Sequence, residues 1–330
     1  MRKFKYLILA LSIIACKKDI QSPQIIQGKK ILIAFQNSKS VHYFLVDSQK
    51  LFFLFNSGDV PNAFVKINDN EFYLINSGGF SGSPSIQKFN FLNGEVITYP
   101  LNNNYNPMFG VYSDGRLFIT DFGKFYSENV LVFKDGQILD SIKTSNRPID
   151  IQMIDSFLIV STNGMKADYS YDIISKIFKI STNSLEKIDS LKLFPGASNI
   201  GVYKDTIFIV STGIYNQTPS RIYKINKNFQ KLDSLTISKN IFSFALNSDY
   251  LVLGSWDGWI YVLNHNLVKL DSLKISNSIN FICSFEDKFY ITANGFSYNP
   301  NYLIIYKPFL KAESIKLLYE DVGIGPCLVF

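Results

Sequence analysis

Short apolar runs of four to seven residues, separated by polar turn residues, recur through residues 29–330. Within 147–193 these runs are Pro148–Ile154, Phe157–Ser161, Lys176–Ile180 and Lys187–Leu193. Runs of this length that are rich in Ile, Val, Phe, Tyr and Thr are typical of β-strands. The pattern therefore predicts an all-β chain in which four strands, termed A to D in chain order, form one repeating unit.

A repeated tripeptide marks the length of the unit. Its copies are Asp140-Ser141-Ile142, Asp189-Ser190-Leu191, Asp233-Ser234-Leu235, Asp271-Ser272-Leu273 and the weaker Glu313-Ser314-Ile315. The serines of successive copies lie 49, 44, 38 and 42 residues apart. A period of roughly 40–50 residues with four strands is typical of the blades of a β-propeller.

The apolar content of the strands predicts which of them are buried. The B runs are almost continuously apolar, as in IFIVS at 207–211 and FYITA at 289–293. This pattern indicates sheets that are covered on both faces, as blades packed between two neighbours are. The D runs carry Lys, Asp and Ser, which is typical of an exposed outer edge. We therefore interpret the repeated Asp-Ser as an edge feature and not as a functional site.

Six full periods fit the chain, at 62–101, 106–143, 147–193, 197–237, 241–275 and 279–317. The start of the chain adds three strands that match B, C and D, namely Ile31–Phe35, Val41–Val46 and Leu51–Phe55. The final run, Gly325–Phe330, matches strand A because Pro326 aligns with Pro148. Together these pieces complete a seventh blade. The sequence thus predicts a seven-bladed β-propeller closed by a composite blade.

In repeat period and strand pattern, residues 29–330 resemble the YVTN/WD40-like propeller superfamily. Tyr290-Ile291-Thr292 and Phe118-Ile119-Thr120 are loose relatives of its YVTN motif. The segment GSWDGWIY at 254–261 is similar to the repeat of pyrroloquinoline-quinone propellers, but the other blades do not share it. The resemblance implies the fold, and we expect no cofactor.

The start of the sequence has a different pattern. MRKFKY at 1–6 is positively charged, and LILALSIIA at 7–15 is a run of nine uncharged residues. This run is too short to span a hydrocarbon layer of about 30 Å, which indicates a signal peptide. Ile13-Ile14-Ala15-Cys16 resembles the bacterial lipobox, which implies cleavage before Cys16 and lipidation of its thiol. An ordinary secretory leader with a coincidental cysteine is the alternative.

The expected domains are a signal peptide at 1–15, a lipidated flexible tether at 16–28 and a propeller at 29–330. The tether is polar and contains Ser22-Pro23. Lys17 follows the cysteine in place of Asp, which by resemblance to the lipoprotein sorting rule of model Gram-negative bacteria implies the outer membrane. The lipid-anchored chain would then face either the periplasm or the cell surface.

Charge and histidine content exclude several classes of function. The net charge of +6 falls to +3 without Arg2, Lys3 and Lys5, because 30 basic and 27 acidic side chains remain. No basic cluster follows the leader, so we expect no nucleic-acid partner. His42 and His265 fall on or beside C strands of non-adjacent blades, and no metal site is predicted. No catalytic motif is evident, and the catalytic residues of any enzyme activity stay unknown.

Two cysteines lie within the predicted propeller. Cys283 and Cys327 both fall on A strands of adjacent blades. An exported protein can form a disulfide. Adjacent inner strands, however, usually lie farther apart than the Cα separation of roughly 7 Å that a disulfide allows. The sequence leaves two alternatives for Cys283 and Cys327, namely a disulfide or two buried free thiols.

The predicted B–C loops mostly combine Gly with an aromatic residue. In a propeller these loops share one face with the D–A loops. We therefore expect a ligand-binding rim formed by Phe80, Phe125, Tyr126, Tyr169, Tyr171, Tyr215, Trp256, Phe296 and Tyr298. Arg147, in a D–A loop, is a candidate partner for an anion. Such a rim suits sugars, peptides or a protein surface. The alternative is that the aromatic side chains pack loop against loop.

The sequence favours a non-enzymatic binding or scaffold module of the cell envelope, with an envelope protein or a carbohydrate as partner. A periplasmic enzyme of the lactonase or quinoprotein-dehydrogenase type is one alternative. A factor for outer-membrane protein assembly is another. Both alternatives rest on analogy of fold or cellular address.

Overall fold

The computed structural model describes residues 28–172, 174–214, 217–237, 240–295, 301–310, 313–316 and 323–330. Within these ranges the regular structure consists of 28 β-strands and no helix. The strands form seven antiparallel sheets of four strands each. Cys16 and the predicted leader lie outside the described residues.

The strands are numbered in chain order. Blade 7 comprises β1 (Lys30–Phe35), β2 (Ser40–Leu45), β3 (Lys50–Asn56) and β28 (Ile324–Val329). Blade 1 comprises β4 (Pro61–Lys66), β5 (Glu71–Asn76), β6 (Ser85–Asn90) and β7 (Val96–Pro100). Blade 2 comprises β8 (Pro107–Ser113), β9 (Arg116–Asp121), β10 (Asn129–Lys134) and β11 (Gln137–Lys143). Blade 3 comprises β12 (Pro148–Ile154), β13 (Phe157–Thr162), β14 (Ser175–Ser181) and β15 (Lys187–Leu193).

The remaining blades follow the same order. Blade 4 comprises β16 (Ala197–Tyr203), β17 (Thr206–Ser211), β18 (Ser220–Asn226) and β19 (Lys231–Ile237). Blade 5 comprises β20 (Ile241–Leu246), β21 (Leu251–Ser255), β22 (Trp259–Leu263) and β23 (Lys269–Lys274). Blade 6 comprises β24 (Ser278–Phe285), β25 (Lys288–Asn294), β26 (Tyr302–Tyr306) and β27 (Glu313–Lys316).

The seven sheets form a closed ring around a channel. The first strand of each blade packs against the first strand of the next, from β4 through β8, β12, β16, β20 and β24 to β28, and β28 packs against β4. A closed ring of seven four-stranded sheets is a seven-bladed β-propeller. The predicted fold class is therefore confirmed.

The composite blade is also confirmed. Strand β28 pairs with β1, with Ile31 opposite Val329 and Ile33 opposite Cys327. Beyond the ladder, the Lys30 and Phe330 backbones exchange hydrogen bonds of 3.1 and 2.8 Å. The Phe330 ring lies 4.7 Å from that of Phe91 in blade 1. The final strand therefore joins the start of the chain and packs against the following blade.

The second strand of each blade is buried on both faces, as its apolar run predicts. In β1 the residues Ile31, Leu32, Ile33 and Ala34 are fully buried. Their side chains divide between two apolar clusters, one shared with blade 1 and one shared with blade 6. Because both faces are dry, these strands lack the alternation of an ordinary two-layer sandwich.

Hydroxyl groups fasten neighbouring blades to one another. Three second-strand hydroxyls donate to a backbone carbonyl of the next blade's inner strand: Thr120 to Ile149 at 2.9 Å, Ser161 to Ser198 at 2.9 Å and Thr292 to Gly325 at 3.2 Å. The accepting carbonyls lie where the inner strands bulge out of register. These carbonyls have no ladder partner, so the hydroxyl groups satisfy them.

The Asp-Ser repeat lies on the outermost strands and shapes their edge. In blades 2 to 5 the Asp side chain accepts a 2.7 Å hydrogen bond from the backbone N–H of the following Ser. In each case the strand pairing shifts register beside the Asp. The aliphatic residues displaced there are exposed, namely Leu139, Ile188, Leu232 and Leu270. A bulged edge of this kind discourages pairing with another sheet.

No helix long and apolar enough to cross a bilayer occurs among the residues that the structure describes.

Candidate functional site

A cavity of about 620 Å³ occupies the channel. Its lining includes Asn163 and Tyr171 from the β13–β14 loop, Thr212 from the β17–β18 loop and Trp256 from the β21–β22 loop. These are loops between the second and third strands of their blades. The cavity therefore lies on the face that the sequence predicts to carry the binding rim.

An aromatic corner in blade 5 lies in this lining. The rings of Phe242 and Trp256 lie 5.1 Å apart at an angle of 62°. Both side chains stay accessible, with 41% of Phe242 and 49% of Trp256 exposed. Phe242 occupies the bulge of β20, where the pairing with β21 skips one residue. The two rings thus offer an apolar surface to a ligand in the cavity.

Amide side chains line the rest of the cavity wall. They belong to Gln36, Gln152, Asn163, Asn199, Asn240, Asn280 and Asn294. Asn280 donates to the Ile324 carbonyl at 2.9 Å and Asn294 accepts from the Ile324 N–H at 2.9 Å, so these two fasten blade 6 to blade 7. The half-buried side chains of Gln152 and Asn240 form no hydrogen bond with other described residues. Their amide groups are available to a ligand.

Among the described residues of the lining, Asp150 carries the one carboxyl group. One carboxyl oxygen accepts the Ile151 N–H at 2.7 Å and the other accepts the Ile200 N–H of blade 4 at 2.7 Å. Burial raises the pKa of Asp150 to about 7, against the opposing effect of these two hydrogen bonds. Because one oxygen is held within blade 3 and the other accepts from blade 4, Asp150 is placed to join the two blades.

Aromatic rings narrow the channel. Phe109 of blade 2 and Phe281 of blade 6 have ring centroids 6.5 Å apart, although their blades are not neighbours in the ring. This separation lies within the range of aromatic pairing. Phe64 and Phe244 also line the cavity. The cavity is therefore a cup with an aromatic constriction.

The predicted rim residues do not all reach the cavity. Tyr171 and Trp256 line the cavity. Phe80, Phe125 and Tyr169 are 62%, 74% and 53% exposed, but they lie outside the cavity lining. Tyr215, Phe296 and Tyr298 lie outside the described residues.

Arg147 lies in the predicted loop but is fully buried. Its guanidinium is 4.4 Å from the Phe122 ring, 4.8 Å from the Tyr169 ring and 5.8 Å from the Tyr126 ring. It donates one hydrogen bond of 2.7 Å to the Phe125 carbonyl, while its Nε and Nη1 have no partner. An anion therefore has no open path to Arg147, and the loop aromatics around it pack against its guanidinium.

Tyr126 supports this loop cluster through its hydroxyl group. The Tyr126 hydroxyl lies 2.8 Å from a carboxyl oxygen of Glu128 and 2.7 Å from the amide oxygen of Asn146. Burial, followed by the hydrogen bond to Glu128, raises the pKa of Tyr126 to about 12. The hydroxyl therefore stays protonated and acts as a donor.

The two histidines lie in non-adjacent blades. His42 is buried in blade 7, where burial lowers its pKa to about 4. The His265 ring lies 4.4 Å from the Tyr203 ring, tilted by 54°, at the blade 4–blade 5 seam. Within the described part of the chain, no three His, Cys, Asp or Glu side chains cluster as a metal site would require.

The sequence alone does not indicate that Phe242 and the amide side chains line the cavity. Phe242 looks like an ordinary strand residue, and only the bulge in β20 gives it an accessible position. The amides fall on different strands and loops of different blades. The sequence holds one indication of the amide lining, because Asn240 lies immediately before strand β20, at the loop face.

Comparison with known proteins identifies the fold and no family. No family model matches the chain, and no curated protein matches it. Among solved structures, hydrazine synthase from Kuenenia stuttgartiensis aligns with a TM-score of 0.67 at 13% identity, over 84% of this chain and 91% of that chain. Dihydro-heme d1 dehydrogenase NirN in complex with DHE aligns with a TM-score of 0.59 at 10% identity, over 92% and 76%.

Apo AztD from Citrobacter koseri aligns with a TM-score of 0.57 at 12% identity, over 92% of this chain and 99% of that chain. At such low identity these similarities show a common fold and no common function. The chain is a seven-bladed β-propeller.

Proposed function

We propose that this protein is a lipid-anchored binding module of the cell envelope that takes a neutral, hydroxyl-rich ligand, such as an oligosaccharide, in the channel cup. The observation that carries the proposal is the composition of the cup. Accessible aromatic rings and unpaired amide groups lie together there, and the one described carboxyl of the lining is engaged by backbone N–H groups.

Each part of the cup suits a sugar. A sugar ring has an apolar face of C–H groups that packs on an aromatic side chain, and the Phe242–Trp256 corner offers such a surface. An amide both donates and accepts, which matches a hydroxyl group that does the same. Gln152 and Asn240 provide such amides without breaking an internal hydrogen bond. A charged ligand would find no free opposite charge among the described lining residues.

The proposed location rests on the N-terminal sequence. The apolar run at 7–15 and the lipobox-like Ile13-Ile14-Ala15-Cys16 support export and lipidation. Lys17 supports the outer membrane. A binding module held at the membrane by Cys16 would present its cup to soluble or surface-linked glycans of the envelope.

An enzymatic role has weaker support. A lactonase or a quinoprotein dehydrogenase needs free charged groups at its reacting centre. Asp150 is the one carboxyl among the described lining residues, and both its oxygens accept backbone hydrogen bonds. No contact of the described residues favours a role in outer-membrane protein assembly.

The experiment that tests the proposal is binding of the purified chain to a panel of neutral and acidic oligosaccharides. The variant Trp256→Ala removes half of the aromatic corner. Phe80→Ala is the matched control, because Phe80 is an exposed aromatic residue of an equivalent loop that lies outside the cup. We expect binding of neutral glycans that Trp256→Ala weakens about tenfold or more, corresponding to roughly 1.4 kcal/mol, while Phe80→Ala leaves it unchanged.

Two results would contradict the proposal. One is the absence of binding to every neutral glycan of the panel by the folded wild-type chain. The other is an equal loss of binding for Trp256→Ala and Phe80→Ala, which would place the contact on the loop surface and not in the cup.

A further inference from the structure

Two thiols meet at the seam between blade 6 and blade 7. Cys283 lies on β24 and Cys327 on β28, and these inner strands pack against each other. The Cys327 thiol donates a hydrogen bond of 3.7 Å to the Tyr290 carbonyl of blade 6, so its side chain points across the seam. Tyr290 is the ladder partner of Cys283. Both cysteine side chains also pack against the same apolar cluster at this seam, so the two thiols lie close to each other.

We propose that Cys283 and Cys327 are a disulfide site that covalently closes the propeller ring. In the structure both are free thiols. A disulfide requires the two sulfur atoms to approach to about 2.05 Å from side chains that face each other. The contact across the seam supplies the facing side chains, although the inner strands of neighbouring blades are generally too far apart for such a bond. Formation of the bond requires no ligand in the cup.

The oxidant would be a disulfide, either of a small thiol or of a thiol oxidoreductase. Cys327 lines the cavity, so its sulfur is the one that a reagent in the channel reaches first. Its thiolate attacks one sulfur of the oxidant, and the other sulfur leaves as a thiolate. The Cys283 thiolate then attacks Cys327 Sγ and expels the second thiol. Two thiol protons pass to the departing thiolates, and the oxidant is reduced to two thiols.

The local environment predicts how fast the bond forms. Burial, together with the hydrogen bond to Cys327, raises the pKa of the Cys283 thiol well above its ordinary range. The attacking species is the thiolate, so the second step is slow at neutral pH and accelerates as the solution becomes alkaline.

The bond would add a covalent closure to a non-covalent one. Strand β28 is otherwise held by its hydrogen bonds to β1 and by packing. Cys283 and Cys327 are 44 positions apart, so the cross-link closes a long loop that includes most of blade 6. Removing the conformational freedom of such a loop from the unfolded chain is expected to raise the melting temperature by on the order of 5 °C.

The test uses the full-length chain with Cys16→Ser, so that Cys283 and Cys327 are its two remaining cysteines. The folded protein is treated with oxidised glutathione at alkaline pH, free thiols are blocked with iodoacetamide, and the digest is analysed by mass spectrometry. We expect a peptide that links Cys283 to Cys327, and a melting temperature that falls by several degrees after reduction. The added Cys327→Ser variant is the control, with no linked peptide and a melting temperature insensitive to reductant.

Three results would overturn the proposal. The first is that both cysteines of the oxidised protein remain open to iodoacetamide. The second is a stable glutathione adduct on Cys327 without a link to Cys283. The third is a linked peptide in a protein whose melting temperature does not respond to reductant, since the bond would then not stabilise the closed ring.

Discussion

Asp150 joins two blades through a carboxyl that is nearly desolvated. Burial raises its pKa to about 7 in the folded chain, against an ordinary value of 3.8. Between these values the folded state holds the proton and the unfolded state has released it. The free energy of unfolding therefore falls as the pH rises from about 4 to about 7, and this contribution is constant above that range.

The variant Asp150→Asn is expected to remove this part of the pH dependence. Between pH 4.5 and pH 8, the unfolding free energy of the wild type should fall by on the order of 3 kcal/mol more than that of the variant. Urea denaturation at the two pH values measures it. Parallel pH profiles for the two proteins would contradict the assigned role of Asp150.

Arg147 shows how a charged side chain is accommodated without an ion pair among the described residues. Its guanidinium is surrounded by aromatic rings, and two of its nitrogens have no partner. Arg147→Ala should cost about 3 kcal/mol, because it removes both the cation–π contacts and the packing. Arg147→Met keeps most of the volume and removes the unpartnered donors, so its cost should be smaller by about 1 kcal/mol or more. A melting temperature of Arg147→Met that is equal to or lower than that of Arg147→Ala would contradict this role of Arg147.

At the scale of the strands, hydroxyl groups of the second strands stabilise the contact between neighbouring blades. Ser161 donates at 2.9 Å to the Ser198 carbonyl of blade 4. Ser161→Ala leaves that buried carbonyl without its donor and should cost about 1–2 kcal/mol in urea denaturation. Ser190→Ala, in the exposed edge of the same blade, is the control and should change stability by less than about 0.5 kcal/mol. Equal effects of the two variants would show that the inter-blade bond contributes nothing.

The strands were predictable from sequence because burial on both faces leaves a direct signature. Runs such as IFIVS at 207–211 are apolar throughout, and β17 occupies Thr206–Ser211. The bulges were not predictable. A bulge arises from the geometry of the inner strand against its neighbours, and the residues that form it, such as Ile149 and Phe242, have no common side-chain type.

The candidate site was predictable only in part. The sequence placed Tyr171 and Trp256 on the loop face, since loop position follows from strand order. Whether a loop aromatic lines the cup, as Trp256 does, or stands clear of it, as Phe80 does, depends on how far each loop folds toward the channel. The burial of Arg147 depends on rings from two loops of different blades. Such contacts between distant segments leave no local pattern.

At the scale of the whole molecule, ring closure depends on β28. Deleting Gly325–Phe330 removes most of the ladder to β1 and the Phe330 contact with blade 1, and it leaves the inner edge of β1 without its hydrogen-bonding neighbour. We expect this truncation to lower the melting temperature by on the order of 10 °C or to prevent folding. Shortening the segment 17–27 is the control, with little expected change. Equal melting of the two variants would contradict the closure by a composite blade.

The proposed anchoring depends on Cys16. The variant Cys16→Ser should abolish incorporation of a labelled fatty acid and shift the chain from the membrane fraction to the soluble fraction, because the acyl chains supply the membrane affinity. Labelling that persists in the variant, or membrane association that is unchanged, would contradict lipidation at this residue.

The central claim is that a neutral saccharide occupies the channel cup, and a crystal structure of the chain with a glycan selected from the panel tests it most directly. We expect a sugar ring packed on the Phe242–Trp256 corner, with hydroxyl groups hydrogen-bonded to the amides of Gln152 or Asn240. A saccharide bound on the outer edge of the blades, with the cup unoccupied, would contradict it.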